Sequence, residues 1–363
     1  MLLLKTPLSG SLAKGSVEPI ENVLWGHGSC LIRNKNEHGI PIAPYFKQGE
    51  PMASYDIQFQ KGLSLREFMA GYGTEEQCIE AVCKARWRDG FVCPECGSVR
   101  HWRLARGLFQ CQECRHQTSP TAGTIFQGTK LPLTVWFQAM HLLTQGKHSV
   151  SALELKRQIG VCYETAWAVK QKLMQVMLER EEKTVLSGRI EVDDAYIGGE
   201  RHEEKRGRGA AGKTPFVVAV MTNPDHQASV LHVRMKALKH VDMRELRAWF
   251  ASGFVKGSKV LTDGLSAYNF LDGDGFEHEA HVMPGGWRSG KHPLFPWVNT
   301  VLGNLKGNLT GVTRWIGRVH LDRYLAEFSY RFNRRFDLKS VLPRLLTAAV
   351  QTPAMPQPLL KLA

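Results

Sequence analysis

Apolar positions recur with two different periods along this chain, and the change of period divides it. In the first half the spacing is helical. Ser64 stands three residues ahead of Glu67 in capping-box spacing, and Thr74 precedes an acidic first turn running on to Val82. Leu133 to Met140 and on to Leu143 again has a helical period, and Ser149 opens a capped run to Gln158. Ile159-Gly160-Val161 then reads as a turn, and Tyr163 opens a long helix to about Arg180. In the second half the apolar runs are short and rich in β-branched residues. Ile190 to Ile197 reads as a buried strand ended by Gly198-Gly199, and Phe216–Met221 and Ser229–Val233 as a hairpin turning at Asn223-Pro224-Asp225. A helix over Asp242–Phe250, strands over Lys259–Gly264 and Glu277–Val282, and helical runs over Pro296–Lys306 and Leu321–Arg335 complete the pattern. A hairpin followed by helix and strand alternation predicts an α/β fold, a mixed sheet flanked by helices. Residues 1–51 show no sustained period and are expected to be poorly ordered, with Met52 as the expected true start instead of Met1.

Charge narrows the range of partners. The 363 residues carry 47 Lys and Arg against 34 Asp and Glu, a net +13. Such a surplus points to a polyanion, and nucleic acid is preferred to a membrane because no stretch approaches the ~18 apolar residues of a spanning helix. Met1-Leu2-Leu3-Leu4-Lys5 is too short an apolar run for a signal peptide, so an intracellular, cytoplasmic location is expected. Cys93, Cys96, Cys111 and Cys114 form C-x2-C-x14-C-x2-C, which predicts tetrahedral structural Zn2+ in a zinc ribbon. Disulfide pairing is the alternative in an oxidising compartment. Cys30, Cys78, Cys83 and Cys162 are scattered and read as ordinary thiols. Arg100, His101, Arg103, Arg106, Arg115 and His116 surround the knuckles and suit a nucleic-acid grip, although ribbons also dock proteins.

The candidate chemistry lies on the strands. Glu191 and Asp193 share one face by period-two geometry, and a buried carboxylate must be neutralised, paired or bound to metal. Asp263 ends another short strand 70 positions on (263 − 193), so the pair can converge at one sheet edge. Hard oxygen ligands of this kind select Mg2+ or Mn2+ for phosphoryl transfer. The plainer alternative makes Asp193-Asp194 the solvated end of an edge strand. Asn299 can supply a third oxygen and Lys306, two helical turns further on the same face, can meet phosphate; Asn304 is a rival of different helical phase. The segment from Ser149 to Arg180 reads as a helix-turn-helix, with Tyr163, Glu164, Thr165 and Lys170 toward DNA, or as a plain helical hairpin. Lys205–Lys213 reads as a phosphate-gripping arm or a solvated connection. The arginines of Leu321–Arg335 are expected at phosphate and its aromatics in the core.

These pieces together resemble a known family. Glu191 to Gly199, Leu261-Thr262-Asp263-Gly264, Val298-Asn299 through Lys306, and Tyr324 to Arg335 are similar to the motifs of ISXO-type insertion-sequence transposases, over roughly Gln58 to Arg335. The resemblance implies a ribonuclease H-like catalytic domain behind a zinc ribbon and a helix-turn-helix. It implies metal-binding catalytic residues Asp193, Asp263 and Asn299, with Lys306 as accessory. Many relatives carry Glu where Asn299 stands. The implied activity is cutting the element's ends and joining their 3′-hydroxyls to target double-stranded DNA, by a homo-oligomer assembled on two ends. A DNA-binding regulator, and a nuclease or resolvase that cleaves without joining, are the competing readings. The expected organisation is an extension over 1–51, a helical segment over 52–90, the ribbon over 91–120 and the DNA-binding region over 130–182. The catalytic domain then spans 186–338 and a C-terminal tail 339–363.

Overall fold

The computed structural model describes residues 61–198, 213–223, 230–282, 295–313 and 316–362. The segment over 1–51, the start at Met52, the basic arm before Lys213 and the turn beyond Asn223 lie outside them.

Helices α1 (Leu65–Tyr72) and α2 (Glu75–Arg86) both begin with complete capping boxes, Ser64 with Glu67 and Thr74 with Gln77. A small antiparallel sheet follows, β1 (His101–Arg103), β2 (Phe109–Cys111) and β3 (Gln117–Thr118). Next come α3 (Leu133–Gln145), α4 (Ala152–Ile159) and α5 (Tyr163–Glu181). Between α4 and α5 the chain reverses through Gly160, whose φ of 69° places it in the left-handed region that glycine enters without strain. The main sheet is β4 (Arg189–Ile197), β5 (Thr214–Thr222), β6 (Val230–Ala237), β7 (Lys259–Thr262) and β8 (Glu277–Ala280), with α6 (Met243–Gly253) before β7 and the single-turn α7 (Phe270–Gly273) before β8. Helices α8 (Pro296–Val312), α9 (Leu321–Asn333), α10 (Leu338–Gln351) and α11 (Gln357–Leu362) end the described chain.

The main sheet runs β6-β5-β4-β7-β8, antiparallel among the first three strands and parallel from β4 outward, a mixed sheet as the pattern predicts. Alternation along β5 serves both of its faces. Val218 and Val220 pack with α8 and α9, while Val217 and Ala219 pack with Leu246 and Phe250 of α6. Strand β6 is an edge, and α9 closes it. The Asn333 side chain accepts from the Val233 amide at 2.8 Å and donates to the Val233 carbonyl at 2.9 Å, so a side-chain amide takes the place of a neighbouring strand. Asp322 accepts from the Ala237 amide at 2.7 Å further along.

The helical half differs from expectation in three places. The tail expected over 339–363 is not a tail: Val341, Leu342 and Leu345 of α10 are fully buried with Phe68, Val82, Phe137 and Leu173. Its apolar spacing is helical, and Pro343 does not break the run. Lys170, expected at DNA, is 1% exposed. It donates to the Val150 carbonyl at 2.6 Å and the Ser149 hydroxyl at 3.2 Å, holding the loop between α3 and α4. The arginines of α9 and of the turn that follows it also point inward. Arg331 donates to the carbonyls of Gly146 and Lys147, Arg323 to Gln171, Gln175 and the Leu360 carbonyl, and Arg335 to the Val230 carbonyl. Carbonyls in loops and at helix ends have no strand partners, and long cationic side chains reach them.

Candidate active site

The parallel ladder between β4 and β7 pairs Arg189 with Lys259, Ile190 with Val260 and Glu191 with Leu261, an offset of 70 (259 − 189). The same offset separates Asp193 from Asp263. Asp193 lies two residues beyond the last rung of this ladder and Asp263 just past the end of β7 at Thr262, so both aspartates emerge at the same edge of the sheet. One carboxylate oxygen from each of Asp193, Asp194 and Asp263 lies within 4.8 Å of the others, and all three residues are half-buried. Asp193 accepts from the Asp194 amide at 2.9 Å, and Asp263 from the Leu265 amide at 3.1 Å, which fixes both carboxylates. The turn after Asp263 runs through Gly264 at φ +78°, where an added Cβ would meet Val282 at 3.1 Å.

Asp194 is the member that sequence reasoning left out. Period two sends neighbouring side chains to opposite faces. The ladder to β7 stops at Glu191 and Leu261, however, so the flank of β4 beside Asp194 is not covered by a paired strand and its carboxylate can approach Asp263. Three like charges this close repel, and a hard divalent cation is the partner their oxygens fit.

Glu191 explains how α8 comes to this edge. It is fully buried, and one carboxylate oxygen accepts from the amides of Trp297 and Val298 at 3.1 and 3.0 Å. The other accepts from the Arg189 guanidinium at 2.9 Å. Phe295, at the cap position of α8, offers no side-chain cap, and Pro296 has no N–H to satisfy. Glu191 therefore caps α8 from a strand 106 residues away, and a carboxylate suits the positive end of a helix. Asn299 follows directly on the capped turn. It is half-buried, and its amide nitrogen donates to the Phe295 carbonyl at 2.9 Å, so the amide oxygen is the end turned away from the helix backbone. Lys306 is exposed two turns further along. Asn304 is exposed and about 140° round the helix from Asn299, at 100° per residue. The groups drawn within ligand distance are the aspartates; Asn299 and Lys306 stand on the helix that Glu191 docks.

The cysteines make the other cluster. One sulfur from each of Cys93, Cys96, Cys111 and Cys114 lies within 4.8 Å of the rest. Cys93 to Cys114 and Cys96 to Cys111 are each 3.5 Å apart, far beyond a disulfide and close to the ~3.8 Å edge of a tetrahedron with Zn–S bonds of ~2.3 Å. The two knuckles repeat one geometry. The Cys93 amide donates to the Ser98 carbonyl and the Cys111 amide to the His116 carbonyl, both at 2.9 Å, and Gly97 and Arg115 after each second cysteine take positive φ of 72° and 62°. Arg115 is a strained choice there, and its guanidinium packs over Trp102 at 4.8 Å. Amide donors, the Cys114 N–H foremost, hold the Cys111 thiol down at about 6, the thiolate form that a metal needs.

Residues 185–333 match the ISXO2-like transposase domain and residues 73–117 the transposase zinc-ribbon domain. The chain belongs to the ISXO2-like transposase family. Both clusters fall inside the regions matched to this transposase family, the cysteines in the ribbon and the aspartates in the larger domain. A relative from Halobacterium salinarum, described as an uncharacterized protein in transposable element ISH50, is 27% identical over 227 residues, 58% of this chain and 75% of that protein. Two Mos1 transposase structures, a paired-end complex with the left transposon end and a mariner paired end complex with Mn, match 56% of this chain. They cover 75% and 76% of those chains at 12% and 11% identity, with TM-scores of 0.20 and 0.17. Among the described residues no helix is long and apolar enough to cross a membrane.

Proposed function

We propose that this family member is the transposase of a bacterial insertion sequence, acting in the cytoplasm at the nucleoid, which binds the element's terminal inverted repeats and catalyses metal-dependent strand cleavage and strand transfer. The observation that carries the proposal is the convergence of the Asp193, Asp194 and Asp263 carboxylates, within 4.8 Å of one another, just beyond the β4–β7 ladder. The mixed five-stranded sheet is read as ribonuclease H-like, with these carboxylates at its catalytic edge. Asp193 and Asp263, joined by Asp194, hold Mg2+ or Mn2+, and the Asn299 amide oxygen completes the oxygen set. A divalent cation held by these residues would supply Lewis-acid activation of water or a 3′-hydroxyl and charge stabilisation at the leaving oxygen. The carboxylates are pinned by the amides of Asp194 and Leu265 and so present their oxygens without rearrangement. Lys306 orients the scissile phosphate. The ribbon and the α4–α5 pair, read as a helix-turn-helix, deliver the duplex, with exposed Tyr163 and Glu164 at the start of α5 placed to meet it. Work on two ends calls for a homo-oligomer on DNA.

Asp193→Ala should abolish strand transfer on a substrate carrying the element ends while end binding persists; loss of binding would make the aspartate structural. A neutral amide at 299 binds cations more weakly than a carboxylate, and that favours a second reading, a regulator that binds ends without joining them. The unaltered chain, inert with Mn2+ in the same assay but still binding ends, would establish that second reading.

A further inference from the structure

We propose that an arginine-lined cavity of about 410 Å³ between α5, α9, α10 and the chain just after α2 binds a backbone phosphate of duplex DNA. The inference rests on the DNA-binding part of the function proposed above. None of the cavity's residues belongs to β4, β7 or α8, so it is separate from the aspartate site. Arg88, Arg180, Arg334 and Arg344 line it, with no carboxylate among the lining groups.

The charge there is only partly compensated. Arg334 is paired with Glu181 at 2.6 Å, and Arg344 makes a loose 3.4 Å ion pair with Asp337 in which both side chains are more than half exposed. Among the described residues no carboxylate comes within ion-pair distance of Arg88 or Arg180. The lining also includes Tyr330, 0% exposed, whose hydroxyl has no hydrogen-bond partner among the described residues. Arg334 lies over the Tyr330 ring at 3.7 Å, a cation–π contact. Burial pushes the Tyr330 phenol up to about 12, against the pull of Arg334, Arg180 and Arg344, so it remains a donor at neutral pH. A buried donor without an acceptor is costly, and guanidinium groups around it offer further donors in a fixed fork. A cavity lined by four arginines, with Thr347 and Gln351 and without a carboxylate, fits a ligand made of anionic acceptor oxygens, which is a phosphate. The phosphodiester of DNA is favoured over free phosphate because Arg88, Arg180 and Arg344 are exposed and so flank the opening where an extended chain could pass.

The test is equilibrium binding of a labelled duplex of unrelated sequence by the full-length chain across a KCl series. The folded double variant Arg180→Gln/Arg344→Gln should bind more weakly, with log K against log salt shallower by about 0.9 for each phosphate no longer neutralised. Tyr330→Phe should weaken binding about tenfold, the loss of one hydrogen bond to a charged acceptor, at nearly unchanged slope. Affinity and slope unchanged in both cavity variants would overturn the proposal while leaving the proposed function intact. Inorganic phosphate that stabilises the unaltered chain but not the double variant, without competing with duplex, would assign the cavity to free phosphate and overturn the DNA source. Failure of the unaltered chain to bind any duplex would overturn both the proposed function and this site.

Discussion

The zinc ribbon and the main sheet each draw cation-binding groups within 4.8 Å, and they do so by opposite means. In the ribbon two tight turns bring the thiols together locally, and Phe91 and Phe109 are the only non-cysteine members of its buried cluster among the described residues. In the sheet the aspartates come from strands 70 residues apart and are held by ladders and by an apolar core on each face that contains none of them. A ribbon of this kind depends on its metal for its fold, whereas the sheet positions its acids through strand pairing and an apolar core on each face.

The largest effect should come from removing zinc. Chelation or Cys111→Ser should forfeit on the order of 10 kcal/mol of metal-coupled folding energy and expose the amides of β1–β3 to rapid hydrogen exchange, with β4 and β5 still protected. Protection that vanishes equally in both sheets would break the contrast. Next is Asp193→Ala, expected to cost strand transfer about a thousandfold or more, the equivalent of several kcal/mol of transition-state stabilisation, with the thermal midpoint hardly moved. Glu191→Ala should destabilise by about 3–5 kcal/mol in denaturant titration, since it strands Arg189 and the Trp297 and Val298 amides in a buried site. Glu191→Gln should fold better and lower kcat more than it raises KM, because it loosens the helix that bears Asn299 without touching DNA. The smallest effect runs the other way. Asp194→Asn should stabilise the metal-free protein by about 1 kcal/mol through relieved repulsion, a gain that disappears when Mg2+ is added.

What could be read from the sequence divides along the same line. The C-x2-C spacing specifies its own geometry, so the cysteine cluster was predictable residue by residue. The strands, their mixed arrangement and the meeting of Asp193 with Asp263 followed from apolar runs and from carboxylates at strand ends. Interactions across long separations were not visible. Nothing near Glu191 in the chain announces that it caps a helix 106 residues away. Period-two reasoning set Asp194 aside because it does not report where a neighbouring strand stops. Lys170 and the arginines of α9 were placed at DNA because charge can be counted in a sequence, while the loop carbonyls of Gly146, Lys147 and Val150 that they serve cannot.

The account depends on the aspartate edge receiving a divalent ion, and anomalous diffraction from crystals of the full-length protein grown with Mn2+ tests it most directly. The expected result is a manganese peak within about 2.2 Å of oxygens from both Asp193 and Asp263, with the β4–β7 register unchanged. Manganese bound elsewhere, with those two carboxylates facing only solvent or each other across an empty edge, would contradict it.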